Sequence, residues 1–112
     1  MLDIKREVIK MGNDYVILIQ NENGHIGSVV TAYPCIRNGH ETCSYNVINT
    51  LGHKDDEVAI RYASRICKKT RQVVTCICGI HYDDITKDQI QEVLNYIEND
   101  IDELEKEVSH NL

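Results

Sequence analysis

Three short polar clusters in the sequence combine glycine with histidine. They are Gly24-His25-Ile26-Gly27, Gly52-His53-Lys54-Asp55-Asp56-Glu57 and Gly79-Ile80-His81-Tyr82-Asp83-Asp84. Glycine lets a backbone turn tightly or approach another segment closely, and histidine can move a proton or bind a metal or ligand. Each cluster lies where an apolar segment begins or ends. We therefore expect the three clusters to converge at one edge of a small sheet and form one site.

Metal binding and catalysis are both chemically possible for these clusters. Imidazole and carboxylate groups suit zinc, iron or manganese, but none of them has a close ligand spacing such as His-Glu-x-x-His. Ser28, Ser44 and Cys35 are candidate nucleophiles, yet no Gly-x-Ser-x-Gly elbow is present. The sequence therefore predicts no catalytic and no metal-ligating residue, and a small metal-dependent enzyme is kept only as an alternative.

Phosphate binding has a physical basis at the second cluster. Gly52-His53-Lys54 precedes a predicted helix, whose first-turn amides and dipole attract anions, and Lys54 adds a positive charge. Asp55, Asp56 and Glu57 oppose this, because they occupy the same positive potential and repel phosphate. By themselves these acids favour a simple helix cap.

Composition limits the classes of protein to consider. With 112 residues and 42% hydrophobic content, we expect one domain, residues 1–112, with an α+β core over 1–97 and the end of a long helix over 98–112. The net charge of −6 disfavours nucleic acid and anionic membranes as partners. No apolar run approaches the roughly 20 residues of a membrane span. Five cysteines without an export signal favour reduced thiols and a cytoplasmic location.

The elements that must position the clusters follow an α+β order. Four strands are predicted, around Lys5 to Met11, from Asp14 to Gln20, from Ile26 to Tyr33 and from Thr42 to Leu51. The turns at Gly12-Asn13, Asn21 to Gly24 and Arg37-Asn38-Gly39 make these strands a continuous antiparallel meander. Pro34 is expected to end the third strand or place it at an edge.

A helix and a buried strand are predicted after the meander. Val58, Ala59, Tyr62, Ala63, Ile66 and Cys67 recur at helical spacing. The basic run Lys68 to Arg71 complements the end of this helix. The unbroken apolar run from Val73 to Ile80 is typical of a central strand.

The last segment predicts a long helix with an apolar seam. Thr86-Lys87-Asp88-Gln89 has the form of a capping box. The seam consists of Ile90, Leu94, Ile97, Ile101, Leu104 and Val108. Packing on the chain's own sheet explains the first half of the seam. Beyond Glu98 a partner helix fits the pattern as well as the chain's own sheet does, and the length of the seam there leads us to expect a homo-oligomer such as a dimer.

The three clusters, in this order and spacing, resemble the prenylated-flavin chaperone-like domain of the gallate decarboxylase D subunit, over about Gly24 to Ile90. The resemblance implies a fold related to proteasome assembly chaperones. It implies a non-catalytic accessory protein that binds prenylated flavin mononucleotide (FMN) or FMN, or delivers it to a UbiD-type decarboxylase. The cofactor-binding positions it implies are His25, Gly27, Gly52, His53, Lys54, Asp55, Gly79, His81 and Asp83. The alternative is a protein-assembly chaperone or interaction module without flavin.

Overall fold

The computed structural model describes residues 2–50 and 56–109. Segments with alternating apolar residues form its strands, and segments in which apolar residues recur every 3.6 positions form its helices. Within these ranges the elements are β1 (Lys5–Met11), β2 (Asp14–Gln20), β3 (Ser28–Arg37), β4 (His40–Asn49), α1 (Asp56–Thr70), β5 (Val74–Gly79) and α2 (Lys87–Ser109). The predicted α+β class and the predicted order of elements are confirmed.

Two hairpins provide four of the strands. Gly12, with φ of 60°, turns β1 back onto β2, and Asn38 and Gly39, with φ of 52° and 78°, turn β3 back onto β4. Positive φ at both central residues of the second turn, and at the first central residue of the first turn, matches the right-handed twist of the strands. The sequence predicted both of these turns at the correct residues.

The strand order is β1-β2-β5-β3-β4, so the predicted continuous meander is wrong in one respect. β5 lies between the two hairpins, parallel to β2 and antiparallel to β3. A nearly all-apolar strand needs a partner on both sides, and Cys76 of β5 pairs with Ile17 on one side and Val30 on the other. The prediction that this strand is central is confirmed.

The two faces of the sheet differ in how they are covered. α1 and α2 pack on one face, whose side chains are buried: Tyr15, Ile17, Ile19, Val30, Ala32, Val74, Cys76 and Cys78. The opposite face, called here the open face, carries Ile9, Val16, Leu18, Val29, Ile48 and Ile77, which are half-buried or exposed. The domain is thus a two-layer structure with one sheet face facing solvent.

Pro34 lies inside β3 and does not end it. The pairing of β3 with β5 stops at Ala32, so beyond that residue one side of β3 has no partner strand among the described residues. A residue without an amide hydrogen is tolerated at such a position, and β3 continues to Arg37 beside β4 alone. The expectation that Pro34 marks an edge position therefore holds, while the end of the strand at Tyr33 is wrong. The predicted last residue of the fourth strand, Leu51, lies outside the described residues.

The capping box predicted at the start of α2 is present. The Thr86 amide donates to Gln89 Oε1 at 2.8 Å, and the Gln89 amide donates to Thr86 Oγ1 at 3.1 Å. In the first half of the helix Val93 is buried, whereas Ile90 is 44% exposed, which corrects the predicted seam. Neither described helix is long and apolar enough to cross a membrane.

The second half of the seam packs inside its own chain. Ile97, Ile101, Leu104 and Val108 are at most 2% exposed and belong to the core of the domain. The expected partner helix on this seam is therefore wrong, because α1 and the sheet already cover the apolar stripe. A homo-oligomer would have to form through another surface.

Asp100 connects α2 to both the sheet and α1. Arg6 of β1 donates to its two carboxylate oxygens at 3.1 and 3.2 Å, and the Tyr62 hydroxyl of α1 donates at 2.6 Å. Burial disfavours the Arg6 cation, but its hydrogen bonds to Asp100 and Glu107 outweigh this effect and raise the pKa of Arg6. The Arg6 and Asp100 side chains are only 15% and 16% exposed, so water weakens the pair little.

Asp100→Ala should lower the free energy of unfolding by about 2–4 kcal/mol, because Arg6 and Tyr62 lose their shared partner while they stay largely buried. Asp102→Ala on the same helix is the matched control, since Asp102 is 59% exposed and pairs with Arg65. Its cost should stay below about 1 kcal/mol. Urea denaturation of both variants measures the difference, and equal costs would contradict the role given to Asp100.

Tyr62 should make stability depend on pH in the alkaline range. Burial, with the hydrogen bond to Asp100, raises the pKa of Tyr62. An unfolded tyrosine loses its proton near pH ~10, so this stabilisation is complete below that pH and declines as pH rises, by up to about 1.4 kcal/mol per pH unit. Urea titrations between about pH 9 and about pH 11 should show this slope in the wild type and a smaller slope in Tyr62→Phe. Equal slopes in the wild type and in Tyr62→Phe would show that folding does not change the pKa of Tyr62.

Candidate functional site

Two of the three glycine-histidine clusters meet at one edge of the sheet. Residues 24–27 lead into β3, and Gly79 ends the neighbouring strand β5. The Gly27 amide donates to the Cys78 carbonyl at 3.0 Å, which joins the two segments. As a result the rings of His25 and His81 lie 6.1 Å apart between centroids and are tilted by 31°.

Glycine is required at two positions of this edge because the backbones touch. A Cβ atom on Gly24 would overlap the Gly79 carbonyl oxygen, and a Cβ atom on Gly79 would overlap the backbone of His25. The φ angle of neither glycine lies in the left-handed region, so close approach explains both residues and turn conformation does not. Each glycine of this pair makes room for the other segment.

Asn21 holds the two segments together and was missed in the sequence, where it was assigned only to a turn. Its side-chain Nδ2 donates to the His81 carbonyl at 2.7 Å, and its Oδ1 accepts from the His81 amide at 2.9 Å. The residue is 5% exposed. An asparagine directly after a strand can match one amide and one carbonyl of another backbone, but the sequence does not identify that backbone.

The loop after β5 is fixed by two further contacts. His81 Nε2 lies 2.9 Å from Asp83 Oδ1, and the Tyr82 hydroxyl donates to Asp3 Oδ1 at 2.7 Å. The hydrogen bond from Tyr82 holds the pKa of Asp3 below its ordinary value, and burial, with the same bond, raises the pKa of Tyr82. His81 is therefore held from both sides, by Asn21 at its backbone and by Asp83 at its ring.

The second cluster falls largely outside the described residues. Gly52, His53, Lys54 and Asp55 belong to it, and only Asp56 and Glu57 are described. The described flanks lie at the same sheet edge, since the Thr50 amide donates to the Gly27 carbonyl at 2.9 Å. Asp56 begins α1, and its Oδ2 lies 3.5 Å from Asn49 Nδ2 at the end of β4. The N-terminus of α1 therefore belongs to this edge.

An open cleft of about 250 Å³ lies beside the two joined segments. Its walls are mainly apolar and consist of Leu18, Ile19, Gln20, Gly24, His25, Ile26, Ile77 and Gly79. The side chains of Leu18 and Ile77 come from the open face, where these two residues are register partners. Small-molecule sites commonly occupy about 300–1,000 Å³, so this cleft can enclose a flat apolar part of a ligand and leave the rest outside.

The chemistry available at this edge is binding. Among residues 2–50 and 56–109, no group of three or more His, Cys, Asp or Glu side chains is arranged to hold a metal ion. Leu18 and Ile77 offer apolar contact, and the imidazole of His25 offers a polar contact at the wall of the same cleft. Such a site can hold a ring system by stacking and burial.

Comparisons with known proteins agree with this fold. The model of the prenylated flavin chaperone LpdD-like domain matches residues 1–109. A solved structure titled a novel chaperone complex for yeast 20S proteasome assembly matches with a TM-score of 0.56 and 12% identity, over 95% of this chain and 98% of that one. The likeness to that structure concerns the fold alone. A search of curated proteins finds no match.

Asn21→Ala should loosen the loop that carries His81. Two hydrogen bonds of a buried side chain are lost, which should cost about 1–3 kcal/mol of stability and speed hydrogen exchange at the His81 amide. Asn23→Ala in the same turn is the control, because Asn23 is exposed and the same truncation there removes no buried group. NMR-detected exchange of both variants tests this, and unchanged protection of the His81 amide in Asn21→Ala would contradict the assignment.

Proposed function

The chain belongs to the prenylated flavin chaperone LpdD-like domain family, and on this basis we propose that it is a non-catalytic accessory protein of the cytoplasm. It binds FMN or prenylated FMN and passes it to a UbiD-type decarboxylase. The observation that carries the proposal is the apolar cleft between Leu18 and Ile77, beside the touching backbones of Gly24 and Gly79.

The residues present fit a flavin in two respects. The isoalloxazine ring system is flat and largely apolar, and the added prenyl group is wholly apolar, so both suit a cleft walled by Leu18, Ile26 and Ile77. His25 and His81 stand at the same edge, where imidazole groups can donate or accept hydrogen bonds to the polar edge of the ring. When bound, prenylated FMN would supply the chemistry of the enzyme that receives it.

The phosphate of the flavin needs positive charge near the cleft. Asp56, Glu57 and Asp83 are acids at this edge and repel an anion. Positive charge comes from Lys5, the register partner of the cleft residue Gln20, from the N-terminal amides of α1, and from Lys54, which lies two residues before that helix. We therefore assign the phosphate to Gly52, His53 and Lys54, and the ring to the cleft.

The open face is the proposed docking surface for the enzyme. Ile9 and Ile48 on it are 45% and 68% exposed, and the apolar side chains of this face continue into the cleft. A partner that covers this face would also close the cleft over the flavin and complete its enclosure. The same exposed apolar side chains favour a second candidate, a protein-assembly chaperone that docks partners without flavin. A second copy of the chain is a third possible occupant.

FMN and prenylated FMN should bind more tightly than riboflavin, because only the phosphorylated forms reach the helix N-terminus. Lys54→Ala should weaken binding of FMN by about 1–2 kcal/mol, or roughly tenfold, and leave riboflavin unchanged. Lys68→Ala, in the last turn of the same helix, removes the same charge as a control and should have little effect. Calorimetric titration measures the affinity of the wild type and of both variants for FMN and riboflavin. Equal affinity of the wild type for riboflavin and FMN would contradict the phosphate assignment.

Leu18→Gln should weaken FMN and riboflavin equally, because the ring is common to both ligands. Val16→Gln is the matched control, since Val16 lies one register step along the same strand face, outside the cleft. Fluorescence quenching of each flavin measures affinity. If the wild type binds no flavin, the flavin proposal is contradicted and the assembly candidate is favoured. Copurification with a stoichiometric protein partner would then support that candidate.

A further inference from the structure

Two cysteines face each other between β4 and α1, away from the candidate site. The Sγ atoms of Cys43 and Cys67 lie 2.8 Å apart. Cys43 and Cys67 are both free thiols. The two sulfurs of a disulfide lie about 2.05 Å apart, so the distance between these two Sγ atoms has to decrease by only about 0.8 Å for a covalent bond to form.

We propose that Cys43 and Cys67 form a reversible intramolecular disulfide on contact with a low-molecular-weight disulfide such as oxidised glutathione. The pair joins the first half of β4 to the last turns of α1. The proposed flavin cleft is lined instead by β2, β5 and the segment that precedes β3. The modification and flavin binding therefore concern different places in the fold.

The two thiols differ in access, which sets the order of the steps. Cys43 is half-buried, whereas Cys67 is fully buried. Burial, with the neighbouring Cys43 thiol, raises the pKa of Cys67 to about 12. Because thiol exchange requires a thiolate, Cys43 is the thiol that attacks first and Cys67 is the one that resolves.

The exchange is balanced in two steps. Cys43 loses its proton, its sulfur attacks oxidised glutathione, and one glutathione leaves and takes up a proton. Cys67 then attacks the Cys43 sulfur of the mixed disulfide, and its proton passes to the second departing glutathione. The two cysteines are oxidised by two electrons, and one glutathione disulfide is reduced to two glutathione thiols.

Arg71 places a positive charge beside the pair. Its guanidinium donates to the carbonyl of Thr42, the neighbour of Cys43, at 2.8 Å and lies 3.4 Å from the carbonyl of Cys35. Its backbone has φ of 57°, a conformation that residues other than glycine rarely adopt. This charge, which Glu41 offsets in part from 3.8 Å, acts against the rise in the pKa of Cys67, but burial outweighs it.

The full chain, purified with reductant and then freed of it, is incubated with oxidised glutathione and digested with trypsin. Cleavage after Lys and Arg places Cys35, Cys43 and Cys67 in separate peptides, 11–37, 38–54 and 66–68, and Cys76 with Cys78 in 72–87. We expect an intact mass lower by two hydrogen atoms and a link between peptides 38–54 and 66–68. The proposal would be overturned by a link to peptide 11–37, by a bond within 72–87, or by unchanged thiols. This test requires only the wild-type protein.

Variants test the order of attack. Cys67→Ala should stop at a glutathione adduct on Cys43, because the resolving thiol is absent. Cys43→Ala should leave Cys67 unmodified, and Cys35→Ala should form the disulfide as the wild type does. A glutathione adduct on Cys67 in Cys43→Ala, with the fold shown intact by an unchanged thermal transition, would overturn the assigned order.

Discussion

The carboxylate of Asp100 joins three elements of this fold. It accepts hydrogen bonds from Arg6 of β1 and from Tyr62 of α1, while its own helix supplies the apolar seam from Ile97 to Val108. A polar group at this depth is tolerated because both of its oxygens have partners. Its fixed partners determine where α2 can lie, and α2 consequently covers the same sheet face as α1.

Placement of both helices on one face leaves the other face of the sheet open. β5 enters between two hairpins, parallel to β2, so Gln20 and Gly79 end side by side at one edge. The segment that precedes β3 crosses the same edge, and Gly24 and Gly79 allow the two backbones to touch there. The cleft is therefore a consequence of strand order, and Leu18 and Ile77 of the open face form part of its apolar wall.

Local features of the fold could be predicted from sequence, and non-local features could not. Asp14 to Gln20 and the capping box at Thr86 were predicted correctly because strand alternation and cap chemistry act between near neighbours. The insertion of β5 between the hairpins was missed, since its pairing depends on residues more than fifty positions away. The seam of α2 was seen but given the wrong partner, because its periodicity does not say which surface covers it.

The candidate site shows the same division. The glycine-histidine clusters were found from residue types alone, and two of them do come together. Asn21 was missed, although its amide fixes the backbone of His81, because only the folded chain shows which carbonyl and amide it meets.

The stabilising contacts and the proposed binding cleft therefore lie on different faces of the sheet. The Asp100 contacts and the Cys43 and Cys67 thiols belong to the helix-covered face, while Leu18 and Ile77 of the cleft belong to the open one. A side chain on the open face contributes less to the core, since it is not covered by a helix. Substitutions there should therefore test what the proposed cleft binds at small cost in stability.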